Sequence, residues 1–279
     1  MVRVAALQMT SGTEPEANLE VLAALAHDAA QQGAVYALSP EVTNVFARDR
    51  DGLKSTTWPW ENSPTVARCA AVARETGLHL HVGSMVVARP DGRYANRSVL
   101  FRPDGAVSAT YDKIHLFDAA LPGHREYRES AAYAGGDTAV VGEAAGMKLG
   151  LTICYDVRFP ALHRTLAEAG AEVITVPAAF TVPTGEAHWE ILLRARAIET
   201  GCYVVAAAQA GQHENGRSTY GHSMIIDPWG KIVGELGGDG PGVLVADIDL
   251  KAVAEARGRV PALANARQFS LSVNPTGAL

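Results

Sequence analysis

The chain has 279 residues, 48% hydrophobic and 19% charged, enough to bury a large core. Its 24 Lys and Arg against 30 Asp and Glu give a net charge of −6, which argues against a broad nucleic-acid-binding surface. No apolar run approaches the roughly 18–20 residues needed to cross a bilayer. Residues 1–9 lack a leader pattern, and Cys69, Cys154 and Cys202 are too few for a disulfide framework, so a cytoplasmic α/β protein without a membrane segment is expected.

Strand-like and helix-like segments alternate from the start. Residues 2–8 read as a buried strand, and Thr13-Glu14-Pro15-Glu16 as a capping box opening a helix that runs to about residue 32. That helix sets Leu19, Leu22, Leu25, Ala26 and Ala29 on one face, and a short strand follows at 35–39. Ser63-Pro64 is a cap followed by a first-turn proline, predicting a helix to about Glu75. Residues 79–87, 96–101 and 107–111 read as strands joined by turns at Pro90-Asp91-Gly92 and Pro103-Asp104-Gly105. The polar stretch 112–137 has no clear period, and loops of that length are usually functional.

Residues 147–153 alternate cleanly. A helix at 160–169, a strand at 173–176 and a helix at 187–199 with Ala187, Ile191, Ala195 and Ile198 facing inward come next. Further strands are expected at 203–208, 223–226, 231–235 and 243–248, the middle two joined by a turn at Asp227-Pro228-Trp229-Gly230. No repeat or linker interrupts the chain. The expectation is one α/β domain over residues 1–279, with an irregular tail from about 260.

Three reactive side chains share one placement. Glu41, Lys113 and Cys154 each lie just past the carboxyl end of a predicted strand, where ligand sites of α/β proteins gather. A thiol attacks as thiolate, so Glu41 is the candidate base, returning the proton to a leaving amine and then activating water. Lys113 and the backbone N–H of Tyr155 are candidate donors to a tetrahedral oxyanion; losing one such donor typically costs about 2.7–4 kcal/mol of barrier stabilisation. Each residue alone also has a plain reading, as a packed thiol or a solvated loop charge.

Three segments carry more. Ser39-Pro40-Glu41, Tyr111 through Asp118 around Lys113, and Ile153-Cys154-Tyr155-Asp156-Val157-Arg158-Phe159-Pro160 resemble, in order and spacing, the signature blocks of the nitrilase superfamily of carbon–nitrogen hydrolases. The resemblance spans residues 1 to about 265. It implies an α-β-β-α sandwich, a Glu41–Lys113–Cys154 triad, a thioester intermediate, no metal or organic cofactor, and a homodimer or higher homo-oligomer. It also implies that Glu129, in the pair Glu129-Ser130, holds Lys113. The stretches 185–199 and 202–230 most resemble the amidase branch, which implies a small carboxylate-bearing amide as substrate. Arg158 is the expected carboxylate clamp, or else a structural ion pair with Asp156 or Glu129. Phe180 and Thr184 join it as implied pocket residues, and His115 as a candidate pocket lining. Ser39, where the family usually has a bulky aromatic, and Ala134-Gly135-Gly136-Asp137, in place of a more usual Pro-Gly-Asp, depart from the pattern near the pocket. Competing readings are a nitrilase or N-carbamoyl-amino-acid amidohydrolase with the same triad, a metal hydrolase built on His79 and His81, and an inactive scaffold.

Overall fold

Seven residues of β1 (Val2–Gln8), the last five of them buried, seed the first of two sheets in the computed structural model, which describes residues 1–120 and 126–273. Helix α1 (Pro15–Gln31) returns the chain, and β2 (Tyr36–Leu38) pairs parallel with β1. After α2 (Arg50–Thr56) and α3 (Pro64–Thr76), β3 (His79–Ala88) pairs parallel with β2. Strands β4 (Tyr94–Phe101) and β5 (Val107–Asp112) add as antiparallel neighbours, which brings β5 back parallel to β2. A small hairpin, β6 (Asp118–Ala119) with β7 (Tyr127–Arg128), precedes the second sheet.

That sheet opens with the hairpin β8 (Val141–Ala144) and β9 (Met147–Leu151). Helix α4 (Pro160–Glu168), β10 (Val173–Thr175), α5 (Val182–Thr200) and β11 (Tyr203–Ala206) extend it in parallel. The hairpin β12 (Ala210–Gln212) and β13 (Ser218–Tyr220) projects from it. Strands β14 (Met224–Ile226) and β15 (Ile232–Glu235) finish it antiparallel. Finally β16 (Gly242–Ile248) crosses back beside β1, and α6 (Lys251–Arg259) follows.

Both sheets have six strands, ordered β16-β1-β2-β3-β4-β5 and β15-β14-β11-β10-β9-β8. Alternation along β1 explains the layering. Val4 and Ala6 meet Leu149, Leu151 and Val173 of the other sheet, while Ala5 and Leu7 face Leu19, Leu22 and Val72 on α1 and α3. Both faces of β1 are covered, so it reads as a continuous apolar run. Leu162, Leu166, Trp189 and Leu193 cover the second sheet from α4 and α5. The order is helix, sheet, sheet, helix, the sandwich the resemblance implies.

Local expectations fare unevenly. Ser63 does cap α3, its hydroxyl accepting from the Val66 N–H at 3.4 Å. The capping box at residues 13–16 does not form: Glu14 occupies the N-cap without a side-chain bond, and Thr13 Oγ1 donates to Glu214 at 2.9 Å. The inward line of α5 is also corrected. Ile191 and Ile198 are 69% and 57% exposed, whereas Trp189, Leu193, Ala197 and Thr200 are buried. The helix begins at Val182, and the Trp189 indole donates to the His222 carbonyl at 2.8 Å, which turns its opposite face outward. Beyond Val260 no helix or strand occurs through residue 273; the rest of the expected tail, 274–279, lies outside the described residues. So do residues 121–125 of the polar stretch, whose described part holds β6, β7 and the short turn Glu129–Ala131.

Candidate active site

The carboxyl ends of the two sheets meet, joined by a parallel bridge between Met9 and Gln209. Glu41 leaves β2 at this junction on a tightly held turn. Gly83 permits that turn, since a Cβ there would stand 2.0 Å from the Ser39 carbonyl oxygen and 2.8 Å from that of Pro40. Ser39, smaller than the expected aromatic, bonds Thr43 Oγ1 at 2.7 Å and accepts from the Gly83 N–H at 3.1 Å. Val42 carries a φ of +49°, a conformation that a β-branched residue rarely adopts. Its N–H donates to Ser84 Oγ at 2.8 Å, and Gln209 Nε2 donates to the Glu41 carbonyl at 2.9 Å.

Lys113 leaves β5 at the same end. Its carbonyl accepts from Gly136 at 2.8 Å, and a Cβ on Gly136 would meet the Asp112 carbonyl oxygen at 2.3 Å. The glycine pair of Ala134-Gly135-Gly136 thus lets the chain close behind the lysine. Cys154 follows β9, its N–H bonded to the Pro177 carbonyl at 2.8 Å and its φ at +49°. Such strained backbone clusters at functional sites, at a cost of order 1–3 kcal/mol. Asp156 ties the lysine and cysteine segments together. It accepts from Tyr111 Oη at 2.7 Å, the Ile153 N–H at 2.8 Å and the His115 N–H at 3.1 Å.

The three side chains converge in one buried cluster. Lys113 Nζ lies 2.8 Å from Glu41 Oε1 and 2.9 Å from Glu129 Oε2, its side chain only 2% exposed. Glu41 Oε1 also accepts from Asn96 Nδ2 at 2.9 Å, and its Oε2 from the Ala179 N–H at 2.9 Å. Glu129 Oε2 takes the Phe117 N–H at 2.6 Å, which fixes the glutamate as well. Burial pushes the Glu41 pKa upward, but the Lys113 charge and hydrogen bonds outweigh it and hold the carboxyl below its usual value. Burial lowers the tendency of Lys113 to stay charged, yet Glu129 and Glu41 together raise its pKa well above normal. The Cys154 thiol is pushed well up, first by burial and then by the Glu41 charge, with Lys113 opposing. The resting arrangement is carboxylate, ammonium and neutral thiol.

Lys113 has three N–H donors. One reaches Glu41, a second spans the two oxygens of Glu129 at 3.1 and 2.9 Å, and a third has no acceptor among the described residues. No acceptor among the described residues bonds the Tyr155 N–H, in the first turn after Cys154. A cavity of about 390 Å³ opens beside Glu41, Asn96, Lys113 and Glu129.

The remaining candidates lie elsewhere. Arg158, Phe180, Thr184 and His115 do not line that cavity, nor do Cys154 and Tyr155, which lie behind Glu41. Arg158 pairs with neither Asp156 nor Glu129: Nη1 lies 3.3 Å from His188 Nδ1, and the guanidinium sits 5.3 Å from the Phe180 ring centroid. Phe180 packs on Trp189, and Thr184 bonds Thr181. His115 Nδ1 contacts Asp156 Oδ1 at 2.7 Å while its ring stacks on Phe159, which makes it a brace for the cysteine turn. His81 is held at both nitrogens, by Tyr36 Oη at 2.7 Å and Ser98 Oγ at 2.6 Å, which removes it as a ligand for the metal reading. Sequence reasoning missed Asn96 and Ala179. The one signal was a polar Asn at the start of a buried strand; a backbone donor leaves none.

Known proteins are similar to this chain over most of its length. Residues 3–258 match the carbon–nitrogen hydrolase family model. The chain is 42% identical over 270 residues to the deaminated glutathione amidase of Bos taurus, covering 95% of this chain and 81% of that one. The NitFhit protein of C. elegans superimposes with a TM-score of 0.88 at 34% identity, over 95% of this chain and 65% of that longer one. A variant of the amidase from Nesterenkonia sp. AN1, solved after Michael addition of acrylamide at its active-site cysteine, matches with a TM-score of 0.78 at 29% identity, covering 94% and 98% of the two chains.

Proposed function

This chain belongs to the carbon–nitrogen hydrolase family, and we propose that it is an amidase acting on deaminated glutathione through a thioester on Cys154. In this reading Glu41 takes the thiol proton as Sγ attacks the amide carbon. Lys113 and the Tyr155 N–H hold the oxyanion, and Glu41 then protonates the departing Cys-Gly amine. Glu41 next draws a proton from water, whose oxygen attacks the thioester carbon, and returns that proton to the departing Cys154 sulfur as the 2-oxo diacid is released. Glu129 and Asn96 keep Lys113 and Glu41 in register. The observation that carries the reading is Glu41 itself, with one oxygen facing Lys113 and Asn96 and the other the Ala179 N–H, beside a neutral thiol.

Arg158, with Phe180 and Thr184, is assigned to the acyl-side carboxylate. In support, it has no acidic partner among the described residues and its plane lies over an aromatic ring. The reading treats residues 1–279 as one catalytic domain working as a homo-oligomer in the cytoplasm. The three cysteines are free thiols, and Ile191, Ile198 and Trp229 form exposed apolar surface that a second copy would cover. Among the described residues no helix is long and apolar enough to cross a membrane.

The deciding experiment compares kcat/KM on deaminated glutathione, 2-oxoglutaramate, N-carbamoyl amino acids and nitriles. Deaminated glutathione is expected to lead. A lead for 2-oxoglutaramate would reassign the enzyme as an omega-amidase, and turnover of nitriles alone would overturn the amidase reading.

A further inference from the structure

The cavity beside Glu41 is walled on its far side by the hairpin β12–β13, whose turn carries Arg217. This turn is fastened to the segment after Glu41, because Asn215 Nδ2 donates to the Phe46 carbonyl at 3.0 Å and the Arg217 N–H to Asn215 Oδ1 at 3.0 Å. The Arg217 guanidinium lies 4.7 Å from the Phe46 ring centroid and 5.2 Å from that of Tyr127. Phe46 is itself buried and packed edge-on to His213 at 4.6 Å, and His213 bonds the Ser11 carbonyl and Thr219. Two aromatic rings thus hold the guanidinium while its N–H edge stays unused. Among the described residues Arg217 forms no side-chain hydrogen bond and no ion pair.

Neighbouring charges leave the cavity cationic. Arg48, Arg50 and Arg128 also line it, but they are exposed and have no ring beneath them. Of the four acids, Glu41 and Glu129 are committed to Lys113, Asp49 caps α2 by accepting from Gly52 at 2.9 Å, and Glu126 is exposed at the rim, so the four arginines and Lys113 outnumber the acids by one. A half-buried, pre-oriented guanidinium in such a cavity is built to take a carboxylate through two parallel bonds. Glu41 faces the same space, so the group it protonates on departure, the leaving amine, enters there. Arg158 lies outside it.

We infer that Arg217 binds the carboxylate at the far end of the leaving group, which makes this cavity the subsite for a peptidyl amine. This inference rests on the amidase reading above. Cys154 does not line this cavity but hydrogen-bonds Glu41, which does, so a substrate held at both ends, with one cation for each carboxylate, would bring its scissile amide past Glu41 to the thiol. A cavity of about 390 Å³ suits a dipeptide, whose two residues span roughly 7 Å when extended.

The test uses two substrates that share the 2-oxoglutaryl acyl group: one with Cys-Gly as a free acid, the other with its glycine carboxyl capped as an amide. The wild-type enzyme is expected to favour the free acid by about tenfold or more, through KM rather than kcat, the size of one charge-assisted pair. Arg217→Met should collapse that ratio to about one, and Arg217→Lys should restore part of it. Turnover of the capped substrate reports separately on the fold and on the acyl-side machinery. A wild-type ratio near one, or an unchanged ratio in Arg217→Met, overturns the inference while leaving the amidase reading intact. Release of ammonia from 2-oxoglutaramate with no turnover of either peptide amide overturns both.

Discussion

Lys113 sits between two carboxylates in a nearly dry pocket, and a charge so buried is tolerated only because every partner is at hydrogen-bond distance. Removing one partner therefore exposes the others. Cys154→Ala should abolish turnover while circular dichroism stays native. Glu41→Gln should lower kcat by about 10²–10⁴-fold, the usual worth of general acid–base help, with little change in KM. The pH dependence has a definite sign. As the proposed base Glu41 must act ionised, and its pKa is held below the ordinary value, so activity is expected to be complete above that value and to fall only as pH drops through the depressed one. The acid limb of kcat/KM should therefore lie below about 4.3, the ordinary glutamate value; a limb near neutrality would remove Glu41 as the base. Arg158→Ala should raise KM for carboxylate-bearing amides and spare neutral ones, and equal loss on both would make Arg158 a structural residue.

The turns that present these side chains depend on close backbone approach. Gly83→Ala places a Cβ 2.0 Å from the Ser39 carbonyl, a contact with no flexible side chain to yield. It should destabilise the protein by roughly 1–3 kcal/mol in urea titration and lower kcat by displacing Glu41. Gly77→Ala, with no atom within 4 Å of the new Cβ, tests only the left-handed φ of +69° and should leave kcat unchanged. Helices show how far local pattern reaches. In α3 the Ser63-Pro64 start was legible because the cap is made by neighbouring residues. In α5 the apolar period was legible but its phase was not. Ile191 and Ile198 look like an inner line, and only the Trp189 bond to the His222 carbonyl turns them outward. The Thr13 cap failed for the same reason, since its hydroxyl found Glu214, 201 residues away.

At the scale of the molecule, the outward Ile191 and Ile198 become a prediction. Ile191→Glu should shift the protein to a smaller species in sedimentation velocity while changing monomer stability little, because the side chain packs against nothing in its own chain's core. Unchanged sedimentation would place the subunit contact elsewhere. Acid sensitivity follows from two buried histidines. Burial lowers the pKa of His81 to about 3 and that of His163 to about 4, while an unfolded histidine titrates near 6.5. Stability is therefore fully present above pH 6.5 and drains as pH falls toward those native values, on the order of 1 kcal/mol per pH unit for each group. Urea midpoints measured from pH 7 to pH 5 should fall accordingly, and His81→Gln should flatten the slope.

The linear order of residues determined which side chains could react and where along the chain each would emerge. A strand followed by a charged or nucleophilic residue is a local pattern, and Glu41, Lys113 and Cys154 each carry it. It also determined the alternation of elements and the covering of both sheets, since apolar period is written residue by residue. Tertiary structure decided the rest. Asn96 joins the cluster through the strand order of the first sheet, whereas the Ala179 N–H, Arg158 outside the cavity and Arg217 within it depend on how two sheets abut, a relation between segments up to 169 residues apart in the chain. Local chemistry can nominate a group, but its pKa, its exposure and its partners are properties of the space that distant segments enclose.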